Sequence, residues 1–373
     1  MIRMLFPSTP ERQHTLNLDI NPNHKKMILT IDGGGMRGTI TIAMLAELER
    51  QTGKPCYELF DMVGGTSTGA IIAAGIAVGY SAQEILELVY LDRLPKAFPR
   101  NNFIAYARYL LNGLRYVYDF KPFYEALGTL VTGKKVCELQ KPIIFLTAQD
   151  VRTSSTIYIV SRGPGAEFTA DWPLSGAVGA SGSAPIYFPP VANNLIDGGV
   201  GTNGNPCFAA AVQAMEYLGA SEGFTPNNVI LMSFGTGYTP NRIGEGKAAK
   251  FWLADWIGYV IGEMIDEAGL QQAAITRAVY GDKIDFRRYN PLLTRENVEQ
   301  NLGISTLGRP DPNSLGLDSR EMPHIRLMQE IGTAYAQQID WLQPHVMPWQ
   351  TTGGHLKPDV EKLQIDWSKT FYR

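Results

Sequence analysis

The sequence predicts an α/β fold on a mostly parallel sheet, with helical elaborations around one core. Three observations carry that expectation. Continuous apolar runs recur at 27–31 (MILTI), 142–148 (PIIFLTA), 156–160 (TIYIV) and 229–234 (VILMSF), as in strands buried on both faces. Stretches with helical period lie between them, TIAMLAELERQ at 41–51 and FAAAVQAMEYL at 208–218. Glycine-rich turns stand where an early run gives way to a helix, DGGG at 32–35 and GGTSTG at 64–69. Alternation of this kind describes repeated strand–helix–strand units.

Along the chain, residues 1–26 form a polar lead-in whose apolar patch is too short for a signal peptide. The strand–turn–helix pattern begins at Met27. The window 81–135 is helical and aromatic and reads as a cap. After about residue 240 the chain is again largely helical, with Pro-rich stretches near 310 and at 344–358. No repeat, low-complexity tract or linker interrupts it. The expectation is one domain over 27–340 and a tail at 341–373.

Composition narrows the function classes. A chain of 373 residues with 45% hydrophobic content has material for a full core. Its 33 basic and 36 acidic residues give a net charge of −3, so no excess charge argues for nucleic acid. The cysteines Cys56, Cys137 and Cys207 lie far apart, with no CxxC pair. That spacing is neither a disulfide framework nor a zinc site, and it reads as buried small hydrophobes in a reducing compartment. The longest apolar run, AIIAAGIAVGY at 70–80, is about half of the roughly 20 residues that span a bilayer. A cytoplasmic protein is expected, with any membrane contact peripheral.

Two glycine motifs carry chemistry. Gly65-Thr66-Ser67-Thr68-Gly69 is a G-x-S-x-G between a short apolar run and a helix of small residues. A serine on such a sharp turn projects its hydroxyl out of the sheet; flanking glycines permit the backbone, and the helix N-terminus favours negative charge. Gly33, Gly35 and Gly38 match G-x-G-x-x-G, a dinucleotide spacing. The acid that should follow the second strand is missing there, since Asp61 precedes its run, and no G-K-[ST] is present. The loop suits an oxyanion better: consecutive glycines bare their amides, and Arg37 brings a positive charge to the site or pins the loop's carbonyls.

A serine needs a base. None of the five histidines (His14, His24, His324, His345, His355) lies among the glycine motifs. A carboxylate is the alternative: Asp197 ends a short apolar run and is followed by Gly198 and Gly199, which leave it open to close approach. An aspartate with the ordinary pKa of about 3.9 is a weak base, so burial must raise it.

Taken in order, DGGGMRG, GTSTG and DGG resemble the motifs of the patatin-like phospholipases, or patatin-like lipid acyl hydrolases. SGSAPIYFPPV at 181–191, LMSFGTG at 231–237 and TAQDV at 147–151 are similar to further segments of that family, and the resemblance runs from about residue 27 to 240. It implies a three-layer α/β/α sandwich acting on acyl esters of glycerolipids, including phospholipids. It implies Ser67 as nucleophile and Asp197 as base of a Ser-Asp dyad. Gly33, Gly34, Gly35 and Arg37 would form or support the oxyanion hole, with the Thr68 amide as a further donor. Gly38, Gly65, Gly69, Gly198 and Gly199 would support the motifs. No metal or organic cofactor is required. Acyl transfer to an alcohol, a membrane-degrading effector switched on by a signalling nucleotide, and a dinucleotide-binding regulator using Gly33–Gly38 are the alternatives.

Residues 93–118 carry Arg93, Lys96, Arg100, Arg108 and Arg115, no acid, and six interleaved aromatics, Phe98, Phe103, Tyr106, Tyr109, Tyr116 and Tyr118. This combination suits an anionic membrane surface. An amphipathic helix packing its tyrosines inward is the competing expectation.

Overall fold

Among the described residues seven strands join in one sheet: β1 (Lys26–Ile31), β2 (Met62–Gly65), β3 (Ile143–Asp150), β4 (Ser155–Val160), β5 (Leu195–Asp197), β6 (Val229–Phe234) and β7 (Asp285–Tyr289). The computed structural model describes residues 17–97, 115–131, 133–239 and 246–343. Strand order is β4-β3-β2-β1-β6-β7, with β5 paired separately to β3. β1, β2, β3, β6 and β7 run parallel to one another, whereas β4 and β5 are antiparallel to β3. This is the expected α/β architecture, a mostly parallel sheet flanked by helices.

Period-two alternation sorts the strand side chains into two layers. On β1, Met27, Leu29 and Ile31 face a core built with the helices Gly38–Thr52, Thr68–Val78 and Met322–Gln337. Ile28 faces the opposite layer, with Cys207, Ala210 and Ala214 on one helical segment and Ala273 and Tyr280 on the helix Leu253–Tyr280. Both faces of the central strands are therefore covered, which is why MILTI and VILMSF are unbroken apolar runs. At Gly332 the helices Met322–Gln337 and Gly38–Thr52 touch so closely that a β-carbon would lie 2.2 Å from the Ile40 carbonyl oxygen.

Four expectations are corrected. TIYIV forms β4 as predicted, but at the sheet edge, antiparallel, with Tyr158 44% exposed; a short turn from β3 leaves no room for a crossover helix. The stretch DFRRY, within the region expected to be helical, is β7; its charges mask the pattern, yet Arg287 and Arg288 are both buried. Ile20, in the supposed lead-in, is buried in the core. Trp341, placed at the head of the tail, is fully buried against Phe234 and Tyr289, and its indole N–H donates to Gln51 Oε1 at 2.9 Å.

Within the cap window, helical segments occupy 82–97 and Phe120–Val131. Phe98, Arg100, Phe103, Tyr106, Arg108 and Tyr109 lie outside the described residues. Of the rest, Lys96 pairs with Asp92, Arg115 is exposed, and Tyr118 is buried with its ring stacked on Tyr187. Tyr118 thus follows the inward-packing alternative. Among the described residues no helix is long and apolar enough to cross a membrane.

Replacing Trp341 by Ala removes a buried aromatic and should lower stability by about 3–5 kcal/mol, read from urea denaturation. An unchanged midpoint would contradict its place in the core.

Candidate active site

β2 ends at Gly65, and two residues later Ser67 sits at φ 57°, ψ −121°, a conformation that costs strain in any L residue. The helix Thr68–Val78 starts immediately after it. The turn is tight enough to dictate its glycines. A β-carbon on Gly65 would lie 2.1 Å from the Gly69 carbonyl oxygen, and one on Gly69 would lie 2.3 Å from that of Ile31. Thr66 anchors the turn from below, its hydroxyl bonded to Thr147 Oγ1 at 2.7 Å and donating to the Asn203 carbonyl at 2.6 Å.

Sheet register brings Asp197 to this turn. One edge of β3 is taken by β4 along Phe145–Asp150, so β2 and β5 must share the other. β2 runs up that edge until Gly65 stands opposite Leu146; β5 runs down it until Asp197 stands opposite Ala148. The two strands meet head-on. Their next side chains converge: Ser67 and Asp197 line one cleft, and the Ser67 hydroxyl acts on the Asp197 carboxyl, favouring its charged form.

The segment Ser181-Gly182-Ser183 clamps the pair. The Ser67 amide donates to Ser181 Oγ at 3.0 Å, and the Asp197 amide donates to the Ser183 carbonyl at 3.0 Å. Gly199 donates its amide to Asp197 Oδ1 at 2.8 Å. At Gly198 a β-carbon would lie 2.2 Å from Thr147 Oγ1, so the chain packs directly on β3. Burial pushes the Asp197 carboxyl up to about 6, against the opposing pull of the Ser67 hydroxyl and the Gly199 amide.

The glycine loop divides into used and unused amides. Gly33 donates to the Gly204 carbonyl at 2.8 Å, Met36 to Leu317 at 2.7 Å and Arg37 to Gly34 at 3.1 Å. The amides of Gly34, Gly35 and Thr68 donate to no described residue. Gly33 therefore holds the loop in place, a narrower role than donor, because its amide is already engaged. Too few free amides remain on Gly33–Gly38 for a phosphate cradle of the dinucleotide kind. Gly38 sits under the elbow, where a β-carbon would meet Thr68 Oγ1 at 2.3 Å. Arg37 is buried, and burial lowers its guanidinium to about 10 against the pull of Asp32.

Sequence reading missed what holds this loop from behind. Asp32 lies directly before Gly33 and forms a two-pronged ion pair with Arg288 of β7, at 2.8 and 2.5 Å, with both residues buried. Arg288 also donates to Ser233 Oγ at 2.9 Å. Nearby, Asn205 donates to the Gly269 carbonyl and accepts the Cys207 amide. Nothing local in DFRRY marks Arg288 as a partner of Asp32; the pairing exists only once β6 separates β1 from β7. Cys56 and Cys207 are buried as expected, whereas Cys137 is only partly so.

Gly35, Met36, Ser67, Thr68 and Asp197 line one cleft. Its walls are otherwise mostly apolar, including Ile71, Leu94, Phe123 and Phe188. Among the described residues no group of three His, Cys, Asp or Glu side chains could hold a metal ion.

The α/β sheet thus carries Ser67 on a strained strand-to-helix elbow, in the cleft that the buried Asp197 also lines. A family model for the patatin-like phospholipases matches residues 29–211. It is 28% identical over 251 residues to a cGAMP-activated phospholipase of Escherichia coli (strain TW11681), covering 62% of this chain and 67% of that one. It is 28% identical over 232 residues to an intracellular phospholipase A2 of Caenorhabditis elegans, covering 59% of this chain and 20% of that one. A cUMP-AMP-activated phospholipase of Escherichia coli is 33% identical over 192 residues, covering 49% and 58%. Among solved structures, VipD from Legionella pneumophila aligns with a TM-score of 0.36 at 11% identity, over 82% of this chain and 67% of that one.

Because the folded carboxyl of Asp197 holds its proton more tightly than the unfolded one, it destabilises the fold as pH rises. The cost is absent below the unfolded value near 4 and complete above about 6. Asp197→Asn should therefore stabilise the protein at pH 8 by on the order of 2 kcal/mol, and the gain should vanish by pH 4. A gain that does not change with pH, measured by urea denaturation, would contradict the assigned burial cost.

Proposed function

We propose that the chain hydrolyses acyl esters of lipids, phospholipids foremost, with Ser67 as nucleophile and Asp197 as general base. One observation carries the reading: a serine hydroxyl and a buried carboxylate of raised pKa line one mostly apolar cleft, beside amides that donate to no described residue. An aspartate titrating near 6 is ionised at neutral pH yet basic enough to take a proton.

The steps balance without a cofactor. Asp197 accepts the Ser67 proton as Oγ attacks the ester carbonyl carbon. The carbonyl π pair moves to oxygen, and the amides of Gly34, Gly35 and Thr68 supply donors for that oxyanion. Collapse of the tetrahedral species breaks the ester C–O bond, and the proton on Asp197 passes to the leaving alkoxide. Water then attacks the acyl-serine, giving its proton to Asp197, and the second collapse returns that proton to Ser67 with release of the fatty acid. Ile71, Leu94, Phe123 and Phe188 offer the acyl chain an apolar wall. Kinship with proteins named as phospholipases supports the substrate class.

Ser67→Ala and Asp197→Asn should each lower fatty-acid release from phospholipid by about 10³-fold or more while the circular dichroism spectrum persists. In the wild type, kcat/KM should fall tenfold per pH unit below about 6, as the base protonates. Full activity in Ser67→Ala, or a rate that does not change with pH between 4 and 8, would end the proposal.

A further inference from the structure

The turn Gly316–Ser319 is clipped onto the glycine loop. The Leu317 carbonyl accepts the Met36 amide, and a β-carbon on Gly35 would lie 2.2 Å from that same carbonyl oxygen. The turn is closed by the Gly316 amide donating to Ser319 Oγ at 2.8 Å. Its geometry is thus fixed relative to the reacting centre. It sets Asp318, an exposed residue, at the lining of the cleft that holds Ser67.

Asp318 stands out from its surroundings. Apart from the dyad carboxylate Asp197, it is the one charged side chain among the described residues lining a mostly apolar cleft. Its carboxylate takes part in no ion pair with a described residue. Arg320, two positions on, is turned to the Tyr118 hydroxyl at 3.2 Å. Tyr187 lines the same cleft, and its ring stacks on Tyr118 with centroids 6.0 Å apart. The negative charge of Asp318 adds to burial in raising both tyrosine hydroxyls above their usual range.

We infer that Asp318 and Tyr187 form a subsite for a positively charged amine, so that the enzyme prefers lipids whose head group carries an ammonium. This rests on the hydrolase reading above. A carboxylate attracts the cation, and an aromatic face adds cation–π attraction. The same carboxylate repels a head group whose charge is purely negative. The division of the cleft fits a lipid: buried apolar walls for the acyl chain and a charged rim for what remains in water.

The test uses monomeric diheptanoyl phosphatidylcholine, phosphatidylethanolamine and phosphatidylglycerol, which share one acyl chain. Wild type should prefer the choline and ethanolamine lipids over the glycerol lipid in kcat/KM by about tenfold. Asp318→Asn should erase most of that ratio, lowering the first two and raising the third, and Asp318→Lys should invert it. A ratio within twofold of wild type in both variants, or equal loss on all three lipids, would overturn the inference while leaving the dyad untouched. Equal turnover by wild type and Ser67→Ala would instead bring down the hydrolase reading, and the inference with it.

Discussion

One edge of β3 is shared by two strands that run toward each other, and the site depends on that arrangement. β2 ascends and stops at the elbow; β5 descends and stops at Asp197. A parallel β5 would carry its last residue away from Ser67. The segment 161–194, with the helix Leu174–Gly182, carries the chain back from the end of β4, so that β5 enters antiparallel to β3. The sheet alone, before any side chain is considered, therefore brings a residue far along the chain to the tip of the second strand.

Holding the site at its working geometry falls to buried polar contacts. The Asp32–Arg288 pair joins the first residue of the glycine motif to the far edge strand, across β6. Two charges taken from water contribute little net stability together, but losing either one alone leaves the other stranded, typically at 3–5 kcal/mol. The pair thus acts mainly as a geometric lock. Ser181 and Ser183 do the same from the opposite side, one taking the amide of the proposed nucleophile and the other that of the proposed base. Strain at Ser67 persists because these contacts over-determine it.

Legibility in the sequence followed the range of the interactions. β1, β2, β3 and β6 were readable because burial on both faces writes itself as an apolar run. The elbow and the DGG turn were readable because close backbone approach admits only glycine at Gly65, Gly69 and Gly198. β7 was hidden because two buried arginines broke its apolar pattern, and both find partners distant in the chain, Arg288 in Asp32 and Arg287 in the Trp341 carbonyl. The role of Gly33 was hidden for the same reason: whether an amide is free depends on a carbonyl at Gly204 that no local pattern announces.

The central claim is that Asp197 activates Ser67 directly, and covalent labelling tests it most closely. A fluorophosphonate with an alkyl tail, followed by intact-mass and peptide analysis, should add one phosphonyl group at Ser67. The labelling rate should fall with pH through a midpoint near 6, and Asp197→Asn should slow it by orders of magnitude. Labelling at another serine, or an undiminished rate in Asp197→Asn, would contradict the account.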